Sequence, residues 1–327
     1  MTITTMSENP WKTIPSSNVW GEYKSLLVPK EINPSGHHIY WARGTENHRA
    51  LLVEYGNVVD ITDPLPEFQN INVKEDQGSK CIAIELLDSD MTSIFLNLCL
   101  DLISALQKIT KDNLRKACIL RLNQWAYFLR PDHSRLSPES QKGLIAELRF
   151  LQHDALELLS PEEALEGWTG PEAGPRDYAY GQVFVEVKSK RGSATPNVVI
   201  SSEAQLNVNP FESLFLYVLE LNEAPSSTKD SFTITDVVNE TRELIDSPIG
   251  CAILDNKLAK VGYFDQDDYS NSKWSEGEVS YYAVTGDFPR IDSQSCSPGI
   301  SRVNYQIDLD YCNDYLVDQS ALTKAME

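Results

Sequence analysis

Three residues stand at a spacing that suits metal-assisted chemistry: Asp177, Glu186 and Lys188, in an Asp-x8-Glu-x-Lys pattern. In QVFVEVKSK, residues 182–190, the alternation of residue types predicts a strand, whose side chains point to opposite faces in turn. Val183, Val185 and Val187 then share one face, and Phe184, Glu186 and Lys188 the other. Asp177 lies nine residues before Glu186, in GPRDYAYG, so a turn over Ala179 to Gly181 would bring the two carboxylates together. Two converging carboxylates beside a lysine suit phosphodiester hydrolysis. A hard cation, Mg²⁺ or Mn²⁺ in its place, binds through one or two carboxylates while keeping waters and substrate oxygens. Asp177 and Glu186 are the candidate ligands, with the Val187 carbonyl. Lys188 is placed to orient or deprotonate the attacking water and to stabilise the charge of the transition state. The bland alternative is that Glu186 and Lys188 are an ordinary pair on an exposed strand face, since such pairs are common in sheets.

The elements around this pattern decide whether it can be assembled. Ser137-Pro138-Glu139-Ser140 is a good helix start, with Ser at the N-cap and Pro at the first helical position, and predicts a helix over 138–159. Leu144, Leu148, Leu151 and Ala155 form its apolar stripe. Glu147 falls on the edge of that stripe, placed to reach inward as a further carboxylate. Arg149 and Glu157 fall off the stripe and are expected in solvent. Upstream, HHIYWA, ALLVEY, INV and CIAIELL read as short strands of a small antiparallel region. Two helices follow over 90–129, ending at Arg130-Pro131-Asp132. Downstream of the site come a strand NVVIS, a short helix SEAQL, an apolar strand FLYVLEL and a helix from Thr235 to Ile245; GYF, SYYAVT and VNYQIDL then read as strands. The expected class is mixed α/β (α+β), a mixed β-sheet flanked by helices. Its expected organisation is an N-terminal strand and helical region over 1–135, a core over 136–250 and an acidic β-containing extension over 251–327, packed on the core.

Charge sets a constraint. The chain carries a formal net charge of -20 and on average repels a polyanion, which is bound by neutralising its phosphates. Between Ser104 and Phe150, however, nine basic residues face four acidic ones, so this stretch is a candidate phosphate track. From Asn222 onward the balance is eight basic against nineteen acidic. The six cysteines show no CxxC pair, and His37, His38, His48, His133 and His153 show no HExxH or HxH pattern, so reduced thiols are expected and a zinc site is not. With no apolar run of membrane-spanning length and no signal-like start, the expected location is cytoplasmic, with no membrane partner.

Several dispersed blocks agree with one family. GLIAELRFL (143–151), W-x-GP at Trp168, Gly170 and Pro171, Arg176-Asp177, FVEVKS (184–189) and ISSEAQL (200–206) occur in an order and spacing that resembles the bacterial PD-(D/E)xK motif proteins. IYWARGTENHRALLVEY near the start, and FPRI, SPGI and VNYQIDL near the end, extend the likeness over most of the chain. The resemblance implies a restriction-endonuclease-like core, Mg²⁺ at Asp177 and Glu186, a catalytic lysine at Lys188, a helix glutamate at Glu147 and an auxiliary active-site glutamine at Gln205. Arg176 stands where the motif's name has proline, a common variation. Such proteins are usually encoded in phage-defence cassettes beside ATPase or helicase-like proteins. The expected function is therefore a Mg²⁺-dependent DNA endonuclease, the effector of such a system, with those proteins, DNA and further copies of itself as partners. The alternatives are an inactive scaffold or DNA-recognition subunit of the same fold, and a nuclease acting on RNA.

Overall fold

The computed structural model describes residues 9–14, 19–20, 22–44, 46–58, 63–129, 134–192, 195–225, 228–292, 296–297 and 299–327. The chain divides into two compact units, Met1–His133 and Ser134–Glu327. The predicted break at Arg130-Pro131-Asp132, and His133, lie outside the described residues.

The first unit holds an antiparallel sheet of β1 (Val19–Trp20), β2 (Tyr23–Leu27), β3 (Ile39–Arg43), β4 (Arg49–Glu54), β5 (Ile71–Asp76) and β6 (Cys81–Leu86), in the order β1-β2-β3-β4-β6-β5. Strands β4 and β6 are inner strands covered on both faces, which is why their sequences are nearly continuous apolar runs. Two helices follow, α1 (Thr92–Leu106) and α2 (Leu114–Phe128). Trp11 joins sheet to helix: its ring stacks on Phe95 of α1 at 5.5 Å and meets Trp41 of β3 edge-on at 5.2 Å. Its indole N–H donates to the Ala50 carbonyl at 2.8 Å.

One expectation needs correction here. With its leading 3₁₀ turn, the helix over Ser89–Leu106 is long and apolar enough to cross a membrane by length and composition, where no such run was expected. Phe95, Leu98, Cys99, Leu102, Ile103 and Leu106 are buried in the first unit, as in a core helix. Two arginines of the basic run are not open to a phosphate, whereas Lys108 and Lys111 are exposed. Arg115 is buried and forms a two-pronged pair with Glu75 at 2.7 and 3.0 Å, and Arg121 pairs with Asp101 at 2.7 Å. Arginine is well suited to such forked carboxylate pairs, and these two are consumed by the unit's own acids.

The second unit opens with α3 (Pro138–Phe150), capped by Ser137, whose hydroxyl accepts from the Ser140 N–H. A π-helical turn, Leu151–Ala155, and the short α4 (Leu156–Leu158) extend it, and α5 (Pro161–Glu166) follows behind a capping box of Ser160 and Glu163. Then come β7 (Tyr178–Tyr180), β8 (Val183–Lys190), β9 (Asn197–Ile200), a 3₁₀ turn Glu203–Leu206, β10 (Ser213–Glu223), α6 (Ile234–Leu244) and α7 (Pro248–Lys260). The chain ends with β11 (Trp274–Ala283), β12 (Tyr305–Asp308), β13 (Leu316–Val317) and α8 (Gln319–Met326). The five-stranded sheet runs β13-β11-β10-β8-β7, with β8 and β10 parallel and the other neighbours antiparallel. This is a mixed sheet in a mixed α+β fold.

The two faces of this sheet are covered differently. On one, Phe150 of α3 packs against Tyr178 at 4.6 Å and Tyr217 at 5.4 Å. On the other, Leu214, Leu216 and Val218 of β10 and Phe184 of β8 pack against Val198, Ile200 and Leu206, and against Ile307 from β12, which pairs with β9. Strand β11 and the pair β9-β12 thus bind the 251–327 segment into the fold of this unit.

Two further expectations are corrected, and one is added to. GYF, 262–264, is not a strand but the end of α7: the Gly262 N–H donates to Ala259 and the Tyr263 N–H to Leu258, with Gly262 at φ +87°. This is a glycine helix stop, and Ser247-Pro248 is the matching start. The acidic C-terminal segment carries helical structure, α7 and α8, that its strand-like runs concealed. Arg149, expected in solvent, is buried between Glu240 at 2.6 Å and Glu276 at 2.8 Å, acids that arrive from α6 and β11. Glu157 is exposed, as expected.

Candidate active site

The hairpin of β7 and β8 assembles the pattern. Tyr178 pairs with Val185 and Tyr180 with Val183, around a two-residue turn with Gly181 at φ +60°, a backbone conformation that glycine adopts without strain. Continuing that register sets Asp177 opposite Glu186. Asp177 is fixed at both ends: its carbonyl accepts from the Thr169 and Gly170 N–H groups at 2.8 and 3.0 Å, and its Oδ2 accepts from the Val187 N–H at 2.7 Å. A strand presents the N–H and C=O of one residue on the same edge, so the Val187 carbonyl faces the Asp177 side, away from β10.

Glu186 and Lys188 share the face that the alternation predicts, opposite Leu216 and Val218 of β10. Glu186 is fully buried. Its Oε1 lies 2.6 Å from Lys188 Nζ, yet neither of its oxygens receives an aligned hydrogen bond. The contact is an ion pair without hydrogen-bond geometry. Lys188 Nζ is also 3.5 Å from Gln205 Oε1, which accepts the Ser201 N–H at 2.7 Å. Gln205 thus ties the 3₁₀ turn to the lysine.

Glu147 arrives from α3. Its Oε2 accepts the indole N–H of Trp168 at 2.6 Å, and its backbone carbonyl accepts the Tyr178 hydroxyl at 2.8 Å. Gly170 lies between two of the acids: a Cβ there would stand 3.1 Å from Glu147 Oε2 and 3.2 Å from Asp177 Oδ1. The site-directed residues Asp177, Glu186, Lys188, Glu147 and Gln205 therefore come together, and Val187 adds its backbone edge.

The electrostatics are those of crowded acids. Burial, then the charge of Asp177, pushes the Glu147 carboxyl up to about 8. Burial raises Asp177, with Lys188 and the Val187 N–H pulling the other way. Burial, with Asp177, lifts Glu186 well above the carboxylate range. For Lys188, burial favours the neutral amine, but Glu186, Asp177 and Glu147 together outweigh it and hold the ammonium above its usual value. With its ammonium held in this way, Lys188 is better placed to donate to developing negative charge than to accept a proton.

The structure adds residues to which no chemistry had been assigned. Trp168 and Gly170 belong to the W-x-GP block, and only the fold reveals one as a donor to Glu147 and the other as the gap between two carboxylates. Arg176 is buried, its guanidinium 4.1 Å over the Phe184 ring, and it pairs with Glu212 at 3.1 Å and donates to the Asn207 carbonyl. Where the motif's name has proline, this chain has an arginine that pins the 207–212 loop beside the hairpin.

A family model described as "Putative PD-(D/E)XK family member (DUF4420)" matches residues 7–310. The chain belongs to this family. No curated protein and no solved structure matches it. The PD-(D/E)XK pattern of this member thus sits within a match that spans both units.

The donor set fits a hard divalent cation. Among the described residues no three His, Cys, Asp or Glu side chains converge in metal-holding geometry. A Mg²⁺ site needs fewer, since Mg²⁺ keeps several waters and takes one or two carboxylates. Glu186, with two buried oxygens lacking hydrogen bonds, and Asp177, held with Oδ2 on a backbone N–H, offer such a pair. Lys188 offsets part of the cost of burying the Glu186 carboxylate, and a bound cation would offset more of it.

Proposed function

We propose that this protein is a Mg²⁺-dependent nuclease that hydrolyses phosphodiester bonds of DNA, Mn²⁺ serving in place of Mg²⁺. The observation that carries this reading is the buried, donor-poor Glu186 set against Asp177 and Lys188 on one hairpin. Asp177, Glu186 and the Val187 carbonyl would hold the cation. When bound, such a cation neutralises charge on the scissile phosphate and makes an attacking water more acidic. Lys188 orients that water and donates to the charge that builds on the phosphate oxygens. Gln205 holds Lys188 in position, and Trp168 fixes the orientation of Glu147. The test is cleavage of plasmid, linear and single-stranded DNA, and of RNA, with Mg²⁺, by wild type, Asp177→Ala and Lys188→Ala. Equal cleavage by all three proteins sinks the assignment; cleavage confined to RNA replaces the substrate.

The formal charge of -20 and the arginines already paired with acids favour a protein that relies on partners to hold its DNA. We therefore place it as the cytoplasmic effector of an anti-phage assembly with ATPase or helicase-like subunits. The same charge supports a second reading, a scaffold that retains the fold without catalysis. Phage challenge separates them: resistance that survives Asp177→Ala and Lys188→Ala belongs to the scaffold, and resistance lost with them to the nuclease.

A further inference from the structure

Most of the second unit's described arginines are spoken for. Arg149, Arg176, Arg191 and Arg242 each pair with a carboxylate. Arg290 has no ion pair among the described residues, and its Nε and Nη1 are buried without a hydrogen-bond partner. Leaving guanidinium N–H groups buried and unsatisfied is costly, and in a chain of charge -20 an acid to pair with is seldom far away. A ligand anion is the simplest completion.

Arg290 lines a cleft of about 340 Å³ together with Ile291, Tyr305, Gln306, Asp308 and Tyr311. Tyr311 is 77% exposed, an aromatic ring presented to solvent at the cleft. The cleft's carboxylate, Asp308, is engaged through Oδ1 with the Asp310 N–H, capping the next 3₁₀ turn. The cleft also adjoins the site. Tyr305 pairs with Ile200, the residue before Ser201, whose N–H holds Gln205 against Lys188. The Tyr305 hydroxyl, which donates to the Ile291 carbonyl and is raised chiefly by burial, lies within the fields of Arg290, Glu186 and Asp292.

A guanidinium lacking an anion beside an exposed aromatic ring is the pairing by which proteins hold unstacked nucleotides: phosphate on the cation, base on the ring. We propose that this cleft binds one nucleotide of a single-stranded segment next to the scissile phosphodiester, its phosphate on Arg290 and its base on Tyr311. The inference rests on the nuclease reading for the substrate class, and its test does not require cleavage.

Full-length protein, with Ca²⁺ in place of Mg²⁺, is titrated with a fluorescein-labelled single-stranded DNA oligomer, the same RNA sequence and the DNA duplex, at several salt concentrations. The wild type should favour single strands. Arg290→Ala should weaken binding roughly tenfold and reduce the salt slope by about 0.7, the loss of one phosphate contact on a single strand. Tyr311→Ala should weaken binding by roughly tenfold with the slope unchanged, since stacking releases no counterion. Tyr311 is exposed, so its substitution does not endanger the fold; an Arg290→Lys variant that keeps the slope shows that charge, not packing, is lost in Arg290→Ala. Wild-type affinity and slope in both variants overturn the proposal, as does preference for the duplex or no binding at all. If the protein binds with these signatures yet cleaves nothing, the cleft stands and the nuclease reading falls.

Discussion

Asp177 accepts the backbone N–H of Val187 at 2.7 Å, so the carboxylate of one arm of the hairpin is clamped to the other arm one residue beyond Glu186. This bond sets the orientation of one acid relative to the other, and it separates charge from shape. Asp177→Asn keeps an oxygen able to accept the Val187 N–H but removes the charge. It should fold with a thermal midpoint at or above that of the wild type and lose cleavage by roughly 100-fold or more, the scale of losing a key electrostatic group. Asp177→Ala should lose cleavage and melt lower, because the Val187 N–H is then unsatisfied. Nuclease assays beside thermal melts read both, and an Asp177→Asn protein that cuts like wild type removes Asp177 from the ligand set.

Lys188 and Glu186 should be coupled. Lys188→Met removes the cation that Glu186, Asp177 and Glu147 surround, and breaking a buried pair from one side costs about 3–5 kcal/mol. Some of that loss should return in Lys188→Met with Glu186→Gln, since a neutral amide no longer needs the ammonium. Denaturant unfolding of the two single variants and the double variant should give a coupling of about 1–3 kcal/mol. All three should be inactive. Additive stabilities would mean that the 2.6 Å contact carries no net interaction.

Stability of the metal-free protein should fall as pH rises. Burial holds the Asp154 carboxyl at about 6 and Glu147 at about 8. Both are raised above their unfolded values, so the folded state binds more protons and each group contributes a penalty once it ionises. The Asp154 penalty develops between about pH 4 and 6, and the Glu147 penalty between about pH 4.5 and 8. Thermal melts in chelator should therefore show midpoints declining from pH 5 to 8. Asp154→Asn, which keeps an oxygen to accept the Tyr281 hydroxyl, should flatten the lower part of the decline. Mg²⁺ should raise the midpoint most at pH 8, where the acids it meets are ionised. A midpoint that rises with pH in chelator contradicts both assignments.

Much of this site was legible because strand alternation is a strict rule. Once QVFVEVKSK is a strand, Glu186 and Lys188 must share a face, and Gly181 supplies the turn that returns Asp177 to them. The core followed for the same reason, with β8 and β10 apolar enough to be inner strands. What was hidden depended on partners distant in sequence. Arg149 looks solvated on its own helix and is buried only because Glu240 and Glu276 come to it from α6 and β11. Trp168 is unremarkable until its indole N–H is found on Glu147, 21 residues away. Helix α7 was masked by an apolar run that fits either period, although Ser247-Pro248 and Gly262 mark its ends.

Gly170 yields the sharpest test of the carboxylate cradle, because it perturbs space without touching charge. Its N–H helps hold the Asp177 carbonyl at 3.0 Å, and an alanine keeps that N–H. The added methyl would stand 3.1 Å from Glu147 Oε2 and 3.2 Å from Asp177 Oδ1, so one or both carboxylates must give by a few tenths of an ångström. Glu147 is tied to Trp168 and Asp177 to Val187, so neither can move without lengthening a short hydrogen bond. Gly170→Ala should therefore fold, with a midpoint within a few degrees of wild type, and bind Mn²⁺ about tenfold more weakly, the low end of what disturbing the support of metal ligands costs. Calorimetric titration with Mn²⁺ measures this without reference to cleavage. Unchanged Mn²⁺ affinity in both Gly170→Ala and Asp177→Asn would place the cation elsewhere than beside Asp177.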